Sequence, residues 1–152
     1  MVIAFCGHSQ YIKNLEDEKL VLEILKKRVA NNDVDFLLGE YGGFDNFAYG
    51  CVKQFKTLHP KSNLIFVTPY ISLEYQKNQI EYRKERFDMV IYPSLEKVPP
   101  RYAISHRNRW IVEQADIIIA YITHQYGGAY AMYKYAKRKN KEIYNISLLD
   151  ID

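Results

Sequence analysis

Two carboxylates flank a glycine pair in Gly39-Glu40-Tyr41-Gly42-Gly43-Phe44-Asp45. Such a turn supports three kinds of chemistry. Backbone N–H groups left bare by Gly42 and Gly43 can meet a phosphate. Glu40 can accept hydrogen bonds from ribose hydroxyls, or act on a glycosidic carbon as nucleophile or base. Glu40 equally suits a salt bridge or a solvated turn. Asp45 falls one step further on, where a negative side chain suits the start of a helix with no ligand present. Two more turns carry comparable residues, Gly7-His8-Ser9 and Tyr126-Gly127-Gly128. Arg107 and Asn108 add a cation and an amide, and Tyr126 adds a ring able to stack on a base.

Short apolar runs and amphipathic stretches alternate along the chain and decide where these residues sit. Residues 2–6 form an apolar run closed by Gly7, the pattern of a buried strand. Over 15–31, Val21, Leu22, Leu25 and Val29 recur at helical spacing. "VDFLLG" predicts a second strand. Phe44, Phe47, Ala48, Cys51, Val52 and Phe55 predict a helix beginning at or just after Gly43. "NLIFVTP", "DMVIYP", "DIIIAYI" and "EIYNISL" predict four further strands, with helices over 103–114 and 128–139. Residues 69–86 fit less well and read as a partly exposed helix or an excursion over one edge. Continuous apolar runs mark strands covered on both faces. The expected fold class is α/β: a three-layer, Rossmann-like, doubly wound and mainly parallel sheet with helices on both faces, as a single domain over 1–152.

In such sheets ligands bind at the carboxyl ends of the strands, near where the strand order reverses. All three glycine-bearing turns leave the carboxyl end of a strand, so one rim should hold them. A helix starting at Gly127-Gly128 directs N–H groups and its positive dipole end at an anion. A phosphate beside Asp45 would meet like charge, which favours the Gly127-Gly128 end for it. Arg107 and Asn108 border the inward stripe of their helix with Ile104 and Ile111. A buried guanidinium needs an anion, and Glu40 or a ligand phosphate are the candidates. A plain Arg–carboxylate pair is the structural alternative.

Composition removes several other classes. With 48% hydrophobic and 26% charged residues the 152-residue chain is ordinary for a globular protein. The net charge of +3 permits an anionic ligand, yet no concentrated basic stripe argues for nucleic acid. "KYAKRKNK" reads as a solvated helix end. Cys6 and Cys51 read as reduced, buried thiols of a cytoplasmic protein. The opening "MVIAFCGHSQ" has neither a basic leader nor a full signal-type apolar stretch, and the longest apolar run is far too short to span a bilayer. No membrane partner is expected. The histidines show no ligand spacing, so no metal is expected, and the absence of G-x-G-x-x-G argues against a dinucleotide cofactor. Tyr130, Tyr133 and Tyr135 crowd one helix with aromatic surface, which points to a homodimer or higher homo-oligomer.

The segments "FCGH", "GEYGGFDNFA", "RNRWIVEQADIIIAYI" and "GGAYAMYKYAKRKNKEIYNI" together resemble the SLOG superfamily, the Rossmann-like domains that include the Lonely Guy enzymes and the DNA-processing protein DprA. The resemblance is strongest to its small, stand-alone, YpsA-like bacterial members, and it runs the length of the chain. It implies a nucleotide or nucleotide-derived ligand at the strand ends, with Gly42, Gly43, Arg107 and Asn108 in the ligand turns. Gly127 and Gly128 match the glycine pair of the Lonely Guy motif P-G-G-x-G-T-x-x-E. This chain lacks that motif's proline, third glycine, threonine and glutamate, the last being associated with phosphoribohydrolase chemistry. The leading expectation is therefore binding or sensing of a nucleotide-type small molecule, ADP-ribose-like ligands included. An enzyme acting at an N-glycosidic bond through Glu40 is the alternative, and a DprA-like single-stranded DNA module is the third reading.

Overall fold

A computed structural model describes residues 1–40, 42–72, 74 and 81–147. Tyr41 and much of the poorly patterned 69–86 stretch lie outside them. The elements run β1 (Val2–Gly7), α1 (Leu15–Val29), β2 (Val34–Leu38), α2 (Gly43–Leu58), β3 (Ser62–Val67), α3 (Glu81–Arg86) and β4 (Met89–Ile91). A 3-10 turn at Pro100–Tyr102 leads into α4 (Ala103–Gln114), followed by β5 (Ile117–Tyr121), α5 (Gly127–Arg138) and β6 (Glu142–Asn145).

The six strands pair in the order β4-β3-β2-β1-β5-β6. Every neighbouring pair is parallel, with Ala4 opposite Leu37 on one side of β1 and opposite Ile118 on the other. The sheet is all-parallel, and the fold is α/β and Rossmann-like. Successive side chains of a strand point to opposite faces, so a strand covered twice must be apolar at both parities. Ile3 and Phe5 turn toward α1 and α2, packing with Val21, Leu25, Phe44 and Val52. Ala4 and Cys6 turn the other way, onto Ile111 and Val112 of α4 and Met132 and Ala136 of α5. That is the physical origin of the continuous apolar runs.

Local signals set the helix ends. Asn14 caps α1, its side chain accepting from the Asp17 N–H at 2.8 Å. The periodic pattern over 15–31 stops at Val29 because Ala30 turns to a φ of 50°, its N–H reaching back to the Lys26 carbonyl.

From β1 the chain climbs outward through β2, β3 and β4, then returns to lay β5 on the free side of β1. The order reverses between β1 and β5, and the crevice above that reversal is where such sheets leave room for a ligand. One tight contact sits beside it. The Phe44 ring of α2 lies directly on Gly7 at the end of β1, where an added Cβ would come within 2.2 Å of ring carbon Cγ. Phe44 is wholly buried and cannot swing away. Gly7→Ala is expected to overpack this contact and cost about 1–3 kcal/mol in urea unfolding, with an unchanged midpoint refuting the account.

Candidate functional site

Three turns reach the rim above β1 and β5, and the structure gives their glycines different tasks. The loop after β1 crosses the start of α2. The Gly43 N–H donates to the Ser9 carbonyl at 2.7 Å, and the Phe44 N–H lies 3.4 Å from the His8 carbonyl. Gly42 holds a φ of 97°, and a Cβ there would lie 2.5 Å from Cβ of Ser9. A Cβ on Gly43 would strike the Tyr11 carbonyl oxygen at 2.3 Å. This glycine pair admits a neighbouring backbone, and the first two N–H groups of α2 are already spent on it. Gly42 and Gly43 do not line the crevice.

Glu40 also points elsewhere. Its carboxylate accepts from Nε of Arg83 at 2.8 Å and pairs through its other oxygen with Arg86. The side chain is 4% exposed. Each guanidinium also covers a ring, Arg83 over Phe66 and Arg86 over Tyr49. Removing one partner would strand a buried charge, so this cluster ties the turn after β2 to α3. The proposed nucleophile is thus held in a structural ion pair, away from the crevice.

The crevice itself has a volume of about 420 Å³, within the range of small-molecule sites. Gly7, His8, Ser9, Asp45, Arg107, Asn108, Tyr126, Gly127 and Gly128 all line it. Among the lining residues not named as site candidates from the sequence are Cys6, His124 and Met132. At the start of α5 no side chain caps the helix, because Tyr126 occupies the capping position and offers no oxygen to it. A Cβ on Gly127 or Gly128 would meet nothing within 4 Å. No described residue accepts from the N–H of Gly127 or Gly128. The first-turn N–H groups of α5 therefore open toward the crevice, whereas those of α2 are closed off.

Arg107 is 2% exposed and comes in from the opposite wall on α4. Its Nη1 donates to the Val67 carbonyl at 2.8 Å and the Gly39 carbonyl at 3.2 Å, so it caps the carboxyl ends of β3 and β2. Gly39 is glycine because a Cβ would lie 3.0 Å from that nitrogen. Nε of Arg107 donates to Oδ1 of Asn108 at 3.0 Å. That bond fixes the Asn108 amide with its NH₂ as the unassigned end, a donor group on the crevice wall. Glu40, one of the anions expected to meet Arg107, has Arg83 and Arg86 as ion-pair partners.

A column of rings forms the last wall. His8 stacks on His124 with centroids 3.6 Å apart, and His124 stacks on Tyr126 at 3.9 Å. Nε2 of His8 accepts from the Thr123 N–H at 3.0 Å, which places the proton of neutral His8 on Nδ1. Burial and the neighbouring His124 hold the His8 pKa below its ordinary value. Cys6, at the crevice floor, donates from Sγ to the Ala129 carbonyl at 3.1 Å, and burial drives its thiol far above the usual range. It stays a neutral thiol.

Elsewhere, Tyr133 is buried in the core, while the Tyr135 hydroxyl donates to Glu113 with Arg109, Arg138 and Lys139 around the ring. The last helix thus presents less free aromatic surface than its sequence suggests. No described helix is long and apolar enough to cross a membrane.

No family model matches this sequence, and no curated protein does. Solved structures are similar to it. DNA processing protein A (DprA) from Streptococcus pneumoniae superposes with a TM-score of 0.62 at 16% identity, over 97% of this chain and 51% of that one. DprA from Helicobacter pylori, described for its single-stranded DNA binding mode, gives 0.64 at 15% identity, over 100% and 68%. TM1055, a structural-genomics target, gives 0.55 at 12% identity, over 93% and 71%. This chain spans about half the length of the pneumococcal protein. The likeness is one of fold, an α/β Rossmann-like parallel sheet.

The His8 geometry carries a pH signature. Below pH 6.5, the ordinary histidine value, an unfolded chain takes up a proton that folded His8 resists, so stability falls as pH drops toward the folded pKa. Melting temperature is expected to fall more steeply on acidification in the wild type than in His8→Gln, whose amide oxygen can still accept from Thr123. Parallel curves for the two proteins would refute this.

Proposed function

We propose that this chain is a member of the SLOG superfamily, with residues 1–152 forming one domain. It binds a nucleotide or nucleotide-derived ligand in the crevice between the ends of β1 and β5. The observation that carries the reading is the contrast between two helix starts on one rim. The start of α2 is closed by protein backbone, and the start of α5 is left open over a crevice. Open N–H groups and the positive end of a helix dipole suit a phosphate. Asp45, lining the same crevice, suits the hydroxyls of a ribose, and the Asn108 amide adds a donor. Glu40 takes no part.

One observation favours cleavage at an N-glycosidic bond as a second reading. Asp45 is the sole carboxylate among the described residues lining the crevice. In that case release of free base from nucleoside monophosphates stops in Asp45→Asn, and chromatography finding no base from any of a broad substrate panel removes the reading. The fold shared with a DprA described for its single-stranded DNA binding keeps a nucleic-acid strand as the third occupant. A strand binding along phosphates would weaken steeply with salt.

Gly128→Asp separates binding from folding. A Cβ there meets no other atom, and a carboxylate in the first turn suits the helix dipole while repelling a phosphate. Titration calorimetry with AMP, ADP and ADP-ribose is expected to show binding to the wild type. At least about tenfold weaker binding, roughly 1.4 kcal/mol, is expected for Gly128→Asp at unchanged circular dichroism. Equal affinities, or no binding by the wild type, would overturn the proposal.

A further inference from the structure

We infer that the His8–His124–Tyr126 column is a stacking platform for the base of the bound ligand, with the outward face of Tyr126 receiving the ring. The inference rests on the nucleotide reading above and names the part of the ligand that reading leaves unassigned.

The column is built, not incidental. Its inner end is His8, buried and fixed by the Thr123 N–H at 3.0 Å. The rings follow at 3.6 Å and 3.9 Å with interplanar angles of 16° and 19°, close to parallel at both steps. Its outer end is Tyr126, which is 70% exposed although its ring has one neighbour already stacked on it. A flat, rigidly backed aromatic face standing open beside a crevice is the surface on which a base stacks, and every base presents such a face.

Two further observations single this column out. Tyr126 sits at the capping position of α5, where Ser, Thr, Asp or Asn would satisfy an N–H and Tyr does not. The residue chosen there forgoes the cap, leaves the N–H groups open and supplies a ring instead. His124 Nδ1 is buried without a hydrogen-bond partner among the described residues, an arrangement that protein interiors avoid unless the ring position itself matters. Phosphate at Gly127-Gly128 and base on Tyr126 would then be held by adjacent residues of one turn.

The test compares AMP with ribose 5-phosphate, which carries the same sugar phosphate without a base. Wild-type protein is expected to bind AMP the more tightly of the two. Tyr126→Ala should weaken AMP on the order of tenfold while leaving ribose 5-phosphate unchanged, and Tyr126→Phe should retain AMP binding. Tyr126 is exposed, so the substitutions leave the core intact, and circular dichroism verifies it. Equal wild-type affinity for the two ligands overturns the platform while the phosphate site stands. Equal weakening of both in Tyr126→Ala also overturns it, showing a purely structural column. Failure of the wild type to bind either ligand overturns the nucleotide reading and this inference together.

Discussion

A hydrogen bond of 2.7 Å, from the Gly43 N–H to the Ser9 carbonyl, decides which part of the rim is available. By drawing the loop after β1 across the start of α2, it places carbonyls of Ser9 and His8 on the first two donors of that helix. It also presses Ser9 and Tyr11 so close that only glycine fits at 42 and 43. The same loop then carries Gly7, His8 and Ser9 onto the wall of the crevice. Of the two glycine-marked helix starts on this rim, that of α2 is closed by backbone and that of α5 is left open toward the crevice. Had both glycine pairs been open, an anion would meet two competing seats. The sterics around the first glycine pair remove that ambiguity.

Buried charge is distributed around the crevice with similar economy. Arg107 meets the strand-end carbonyls of Val67 and Gly39. Carbonyls at the carboxyl end of a parallel sheet all point the same way, and a guanidinium with several donors satisfies two strands at once. Glu40 lies one residue from Gly39 but has its own pair of cations on α3. The two networks are neighbours that do not merge. One stiffens the wall of the crevice, and the other fastens the edge of the sheet.

Much of this was legible in the sequence. The apolar runs and the spacing of Phe44, Phe47, Ala48, Cys51, Val52 and Phe55 locate their elements because each element's burial is written along its own length. The meeting of the three turns follows from parallel topology alone. What could not be read is which glycines face solvent and which face protein. Gly42-Gly43 and Gly127-Gly128 look alike in one dimension, and the difference lies in a carbonyl more than thirty residues away from the first pair. Glu40 failed for the same reason, its partner Arg83 being 43 residues on. His124 left a faint signal, an aromatic side chain two residues before Tyr126 in a turn already marked by glycines, but its stacking on His8 spans the whole sheet reversal.

That last contact bears on how the crevice works. His8 and Thr123 belong to turns on opposite sides of the reversal, and their bond joins the two lips where the topology would otherwise leave them independent. The His8 N–H adds a second tie, to the Tyr121 carbonyl at 3.4 Å. Since β1 and β5 are also paired along their length, the lips inherit the rigidity of the sheet centre. A ligand entering such a site orders little that is not already ordered, so more of its contact energy remains as affinity. The same coupling makes the site sensitive to the proton on His8. A protonated Nε2 would face the Thr123 N–H as donor against donor, and its charge would lie over the His124 ring 3.6 Å away. Acid would loosen the lips and disturb the ring column in one step.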